Sequence, residues 1–336
     1  MSQEASLQEW KELYEAAIKI KSMQPWNYLW DMDLITILLP EYEEPFYCSI
    51  MGRNGECFAI GIYPGFDAIH DFYRMARSTD IPPEQLIRYQ NCLMCYFGDR
   101  NELTAKERQI IKELGLKFRG RNEWIFFRSF KAGYFPYMPD REEVHQLTQV
   151  FQQLFMALRA FIEKEIEVDF EQGNTLFRQY DKEKDLWLTF EMPNLIPPKQ
   201  YMVPILQNDI LVARMNKQKR NKNEIELDIA YLNSCIRDKD FERPIIPRLL
   251  ILADRGSGML LDQKLLTPED DETQDVFNYF INYIGQMGKP KAIYVRDEYF
   301  ASLLSDFCEK TNIPIKIQGR LWAIDTFVRA FAEQGF

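Results

Sequence analysis

A chain of 336 residues and 40.0 kDa is long for one domain, and its 46% of hydrophobic residues can fill two cores. A net charge of −10 and a pI near 5.0 oppose broad binding to nucleic acid or to an anionic membrane, although a local basic patch could survive them. No apolar run approaches the ~18 residues of a membrane span, the start MSQEASLQEW lacks a signal-peptide core, and six cysteines without a secretory signal read as reduced thiols in a cytoplasm.

Residues 6–23 read as an amphipathic helix through Leu7, Trp10, Leu13, Tyr14, Ala17 and Ile18, stopped by Pro25. Residues 34–39 predict a strand. Residues 46–51 and 57–63 predict a hairpin, because Gly52-Arg53-Asn54-Gly55 between them is turn chemistry. A helix over 66–77, a strand over 91–97, a helix over 104–114 ended by Gly115 and a strand over 123–130 follow. Residues 142–165 carry Val144, Leu147, Val150, Phe151, Leu154, Phe155, Leu158 and Phe161 in one helical stripe. The N-terminal part, 1–168, is therefore expected to be an α+β domain.

From 169 onward a second domain is expected, with a β-rich lead-in before a core at 223–336. Residues 175–180 and 186–191 predict strands paired through 181–185. Residues 210–215 predict a strand that pairs with 224–232 across 216–223, which would put Lys217, Lys219, Arg220 and Lys222 at a hairpin tip.

The core reads strand, strand, strand, helix, strand, helix, strand, helix. Ile225, Leu227 and Ile229 alternate with Glu226, Asp228 and Ala230, the period of a half-buried strand. Residues 249–253 are an unbroken apolar run, and Arg255-Gly256-Ser257-Gly258 turns the chain back into 259–266. Thr267 is expected to cap the next helix, with Pro268 in its first position and Glu269, Asp270 and Asp271 against its dipole; Gly288 ends it. Strands at 292–295 and 313–317 alternate with helices at 299–310 and 321–331. The strands are expected in one mixed sheet, with 225–232 between 249–254 and 292–297.

Three meandering strands followed by αβαβα resemble the RNase H-like fold, including DDE transposase and integrase cores. LLILADRGSGMLLDQKLL is similar to their second and third strands, and YVRDEYFASLLSDFCEKTNIPIKI to their fourth strand, helix and fifth strand. The resemblance implies an α/β domain with a mixed five-stranded sheet and helices. It also implies catalytic carboxylates on the first strand, at the end of the fourth and on a late helix, which here fall on Asp228, Asp297 and Asp325. Hard Mg²⁺ or Mn²⁺ prefers such convergent oxygens, so Asp228 and Asp297 are the candidate metal ligands. The pattern departs from the family in lacking DNG or HSD around Asp297, and Asp325 lies in a largely apolar helix; Asp254 falls where the family needs no acid. Over most of the chain, PWNYLWD, YCSIMGRNGE, IYPGFDAIHDF and FRGRNEWIFFRSFKAGYFPY with the C-terminal stretch resemble a two-domain bacterial family of the Firmicutes type, which implies no activity.

Other chemistry is sparse. Cys92 and Cys95 have CxxC spacing, but in a strand those positions face opposite ways and no second ligand pair is near, so buried, metal-free thiols are expected. His70 and His145 lack a nucleophile motif, and no glycine-rich phosphate loop occurs. Residues 254–258 are a hairpin turn before they are an anion nest. Two basic groups are candidates for single-stranded nucleic acid: Lys217, Lys219, Arg220 and Lys222, and Lys117, Arg119, Arg121 and Arg128 among Phe118, Trp124, Phe126 and Phe127. A solvated loop and an ordinary strand with snorkelling cations are the plainer account in so acidic a chain.

The resulting reading is a cytoplasmic, non-catalytic binding or regulatory protein without a cofactor, with a protein partner favoured over nucleic acid and no membrane. The alternative is a Mg²⁺- or Mn²⁺-dependent nuclease or transposase-derived enzyme using Asp228, Asp297 and Asp325. The metal site predicts that Asp228→Asn relieves repulsion and stabilises the metal-free protein; the bare scaffold predicts a near-neutral change.

Overall fold

The computed structural model describes residues 3–232, 234–237, 241, 243–267 and 270–333. Pro268 and Glu269, expected at a helix start, lie outside the described residues. The chain divides into two units, Met1–Ala76 with Tyr89–Pro198, and Arg77–Arg88 with Lys199–Phe336.

In the first unit, α1 (Leu7–Met23) begins where the Ser6 hydroxyl accepts from Glu9 N–H and Glu9 reaches back to Ser6, a reciprocal cap. It stops at Gln24, left-handed before Pro25. Then come β1 (Ile35–Leu38), β2 (Phe46–Met51), β3 (Ala59–Pro64), α2 (Gly65–Arg77), β4 (Cys92–Gly98), α3 (Ala105–Glu113), β5 (Trp124–Phe130), α4 (Arg141–Ile162), β6 (Asn174–Asp181) and β7 (Leu186–Pro193). The seven strands form one sheet in the order β5-β4-β3-β2-β1-β6-β7, antiparallel except for β1 with β6. The apolar stripes of α1 and α4 share one core with Ile35, Ile37, Ile60, Ile62 and Phe127.

The division expected at 168 is corrected by this sheet. Strands β6 and β7 are not a lead-in to the second domain: β6 pairs with β1 (Ile35↔Leu176), Leu176 lies in the first core, and the Thr36 and Thr175 hydroxyls bond at 2.8 Å. Leaving β1 as an open edge would expose a row of unpaired backbone groups, which β6 satisfies.

Cys92 and Cys95 point to opposite faces of β4. Cys95 belongs to the core under α1 and α4, while Cys92 packs with Tyr47, Tyr63 and Ile69. Burial pushes the Cys92 thiol up to about 12 and the Cys95 thiol well above its ordinary value. A native thiol titration should therefore show rapid reaction only at the exposed Cys57 and Cys235, with Cys48, Cys92, Cys95 and Cys308 reacting after denaturant is added. Stoichiometric zinc that disappears in a Cys92→Ser variant would contradict this.

The second unit contains a 3₁₀ turn over Pro83–Tyr89, whose residues through Arg88 belong here, and α5 (Asp209–Asn216), β8 (Glu224–Tyr231), β9 (Arg248–Asp254), β10 (Leu260–Leu266), α6 (Glu272–Met287), β11 (Ala292–Val295), α7 (Glu298–Thr311), β12 (Ile315–Ile317) and α8 (Trp322–Glu333). Its sheet runs β10-β9-β8-β11-β12, with β8 inside, antiparallel to β9 and parallel to β11. Two expected elements are corrected. Residues 210–215 are not a strand but part of α5: the Asn208 side chain accepts from Leu211 N–H, and Met215 turns into the core. The cap of α6 is Asp271 rather than Thr267, whose N–H and hydroxyl instead donate to Asp270.

Nor is β8 half-buried. Ile225, Leu227 and Ile229 pack under α6 and α7 with Phe280, Phe300 and Phe307. The opposite face, with Ala230, lies under α8 beside Leu321, Ile324 and Val328. Glu226 and Asp228 are on that second face and are fully buried. Two acids on a strand covered from both sides must find partners, and those partners make the site.

Candidate functional site

Asp228 sits in mid-strand on β8. One residue past β11, Arg296 is fully buried and reaches across to it. The Arg296 Nε donates to Asp228 Oδ2 at 2.6 Å, one terminal nitrogen to Asp325 Oδ1 at 2.6 Å, and the other to the Gly319 carbonyl at 2.6 Å. A planar guanidinium matches three acceptors in three directions, as an ammonium could not. Arg88, from the 3₁₀ turn, donates to Asp228 Oδ1 at 2.7 Å, and its Nε lies 3.9 Å from Asp297 Oδ2. Rings hold it from two sides, Tyr231 at 5.5 Å and Phe300 at 5.6 Å. The turn is fastened to β8 by Gln85, which accepts from Tyr231 N–H and donates to the Tyr231 carbonyl.

The remaining oxygens are also engaged. Asp297 caps α7, its Oδ1 accepting from Phe300 N–H at 3.2 Å. Asp325 Oδ2 accepts from Leu321 N–H at 2.9 Å. Glu226 accepts from Ala323 and Ile324 N–H at the start of α8 and pairs with Arg255 at 3.1 Å. Burial opposes the Arg296 charge, but Asp228 and Asp325 outweigh it and raise its pKa above the ordinary value. Burial likewise pushes the Asp325 and Glu226 carboxyls up, against the pull of Arg296 on the first and of the α8 N–H groups and Arg255 on the second.

The structure thus brings Asp228 and Asp325 together through Arg296, and Asp228 and Asp297 through Arg88. Divalent metal does not fit this set. Each of the three carboxylates already accepts hydrogen bonds, and two guanidiniums supply the positive charge a metal ion would supply; among the described residues no acidic, histidine or cysteine group is arranged to hold a metal ion. Asp228→Asn is now expected to destabilise rather than be near neutral, since it removes the carboxylate that Arg88 and Arg296 share while Arg296 keeps Asp325 and Arg88 keeps Asp297.

The basic candidates are arranged differently from the expected hairpin tip. Lys217, Lys219, Arg220 and Lys222 follow α5; the Lys219 carbonyl accepts from Lys289 N–H, and Arg220 donates to the Asn312 carbonyl at the end of α7. Lys217, Lys219 and Lys222 are exposed. In the first unit Arg128 is taken by Glu107 and by the Glu102 and Phe127 carbonyls, while Lys117, Arg119 and Arg121 are exposed. Asp254 closes its own turn by accepting from Ser257 N–H and hydroxyl, so the turn at 254–258 is filled by a carboxylate. His70 meets the Pro197 carbonyl at 2.5 Å, and His145 is exposed.

Sequence reading missed Arg296, Arg88 and Glu226. Arg296 had a signal: it directly follows the buried run Ala292–Val295, before a helix cap, with no break in which to turn outward. Arg88 had none, because 140 residues separate it from Asp228.

Residues 10–178 match a family model described as a domain of unknown function (DUF7309), and residues 211–332 match a second, also a domain of unknown function (DUF6930). No curated protein matches. Among solved structures, the HTLV-2 integrase catalytic core domain in complex with magnesium (dimeric form) is similar at 14% identity over 35% of this chain and 71% of that one, with a TM-score of 0.24.

Proposed function

We propose, for a chain that belongs to the family of the domain of unknown function DUF7309, a non-catalytic binding or regulatory role in which the second unit is an RNase H-like scaffold. The strand order β10-β9-β8-β11-β12, with only β9 antiparallel to its neighbours, supports the scaffold. One observation carries the function: fully buried Arg296 lies between Asp228 and Asp325, where the nuclease reading needs a metal ion. Each of these carboxylates is already charge-balanced by a guanidinium, and displacing Arg296 to admit an ion would bury its charge without partners. The partner is proposed to be a protein rather than nucleic acid, in keeping with the net charge of −10. No helix of the described residues is long and apolar enough to cross a membrane, and six free cysteines accord with a cytoplasmic location.

The test is a melting series of the full chain with Mg²⁺ and Mn²⁺, followed by cleavage assays on single- and double-stranded DNA and RNA. The expected result is no metal-dependent shift and no cleavage. A Mn²⁺-dependent rise in Tm with cleavage, both lost in Asp297→Asn, would overturn the proposal, because only a folded metal site gains stability by mass action.

A further inference from the structure

We propose that the cleft beside the first turns of α8 binds a small anionic ligand carrying a planar ring, of the nucleoside-phosphate class; the proposal deepens the binding role above and rests on it. The cavity measures about 400 Å³ and is bounded by Pro82 and Pro83 on one side and Gln318, Arg320, Trp322 and Arg329 on the other. That volume falls in the range of small-ligand sites. It opens just past the C-terminal end of β12, the end of a sheet's parallel strands where α/β folds place ligands.

Two features distinguish it from an ordinary surface dip. First, Trp322 is 57% exposed yet held in place. Its ring edge lies so close to Gly258 that a Cβ there would meet it at 3.0 Å, and Gly258 has the positive φ that glycine adopts freely. A large ring that is more than half exposed and packed along one edge offers area for stacking. Second, every arginine of the neighbouring buried cluster meets a carboxylate, whereas Arg320 and Arg329 form no ion pair among the described residues. Arg320 lines the cleft, and its Nε donates to the Asp80 carbonyl at 3.3 Å.

Two guanidinium forks suit phosphate oxygens. The cavity also holds Glu84 and Asp325. Asp325 is buried with both oxygens engaged, so it presents little free charge. Glu84 offsets one of the two guanidinium charges and offers an acceptor to ring or exocyclic N–H groups, while the Asp80 carboxylate lies beside Gly319 outside the lining. An aminated base bearing phosphate satisfies all three elements; phosphate alone or a neutral nucleoside satisfies one or two.

The test is calorimetric titration of the full chain with ADP, adenosine and inorganic pyrophosphate, repeated on Arg320→Gln, Arg329→Gln and Trp322→Leu, with each variant's melting curve as a control for folding. ADP should bind saturably, with adenosine and pyrophosphate each about tenfold weaker or worse. Each variant should lose about tenfold in affinity at unchanged Tm, the scale expected when one charge-assisted or stacking contact is removed. Absence of saturable ADP binding at millimolar concentration, ADP affinity indifferent to Arg329→Gln and Trp322→Leu, or pyrophosphate binding as tightly as ADP would each overturn the proposal. These outcomes are read without divalent metal, so they stand apart from the metal-dependent cleavage that would overturn the non-catalytic role.

Discussion

Replacing Arg296 with methionine should lower the stability of the second unit by about 3–5 kcal/mol, the scale for removing one partner of a buried ion pair. The side chain is fully buried and satisfies three acceptors, Asp228, Asp325 and the Gly319 carbonyl. Methionine fills much of the volume but none of the bonds. Asp228 would keep Arg88, whereas Asp325 would keep only the Leu321 N–H. Arg296→Lys should recover only part of the loss, since a point charge cannot meet three acceptors spread around a planar fork. A double-mutant cycle with Asp325→Asn should give a favourable coupling of about 1–3 kcal/mol, because the two singles remove one shared interaction. Since the chain has two units, the readout is denaturant-dependent hydrogen exchange at β8 and β11 rather than one global transition. A loss below about 1 kcal/mol would mean that the cluster contributes little, as a well-solvated pair would.

The same cluster shows what a sequence does and does not disclose. Strand β9 was legible as an unbroken apolar run, and helices α6 and α7 because their apolar residues repeat at the helical period and Gly288 ends α6 where the pattern stops. The order of the second sheet followed from the order of elements, since a strand returning after a helix tends to lie parallel beside the first. Residues 210–215 were not legible: six residues rich in Ile, Leu and Val fit a strand or a short helix, and only the Asn208 cap decides. The domain limit failed for a related reason, as nothing local says with which distant strand β6 pairs.

The candidate acids were half legible. Their assignment to Asp228, Asp297 and Asp325 came from the resemblance to RNase H-like cores, and two of them do converge on one guanidinium. What the pattern could not give was the sign of the charge between them. Alternation on β8 reads as one wet face, yet α8 covers that face. A covered face turns three acids into a demand for cations, and that demand is met from the residue after β11 and from a turn far away in sequence. The same geometry that would gather metal ligands thus gathers arginines, so the acids alone do not distinguish a metal centre from a charge-balanced core.

Glu226→Leu should cost about 2–4 kcal/mol and loosen α8 first. Glu226 does for α8 what a capping residue does, but from another strand: it accepts from Ala323 and Ile324 N–H at 2.8 and 3.2 Å. Leucine would leave both donors unsatisfied in a buried site, adding a lost cap to lost charge-assisted bonds. Arg255 should tolerate the loss better, since it is partly exposed and lies 4.1 Å over the Tyr294 ring. Glu226→Gln keeps an acceptor and removes the charge, so it should cost less at neutral pH. The pH dependence separates the two causes. Burial raises the folded-state pKa of Glu226, and of Asp325, above the unfolded value near 4, so between those values the folded protein holds more protons than the unfolded chain. The contribution of these two groups to stability therefore falls as pH rises through that window and is recovered on acidification. In Glu226→Gln the Glu226 share of that slope should vanish, leaving a flatter profile between pH 4 and 7 by denaturant titration, while amide exchange at Ala323 and Ile324 stays slow. Fast exchange there with an unchanged slope would mean that the cap, and not the buried charge, governs how α8 is held.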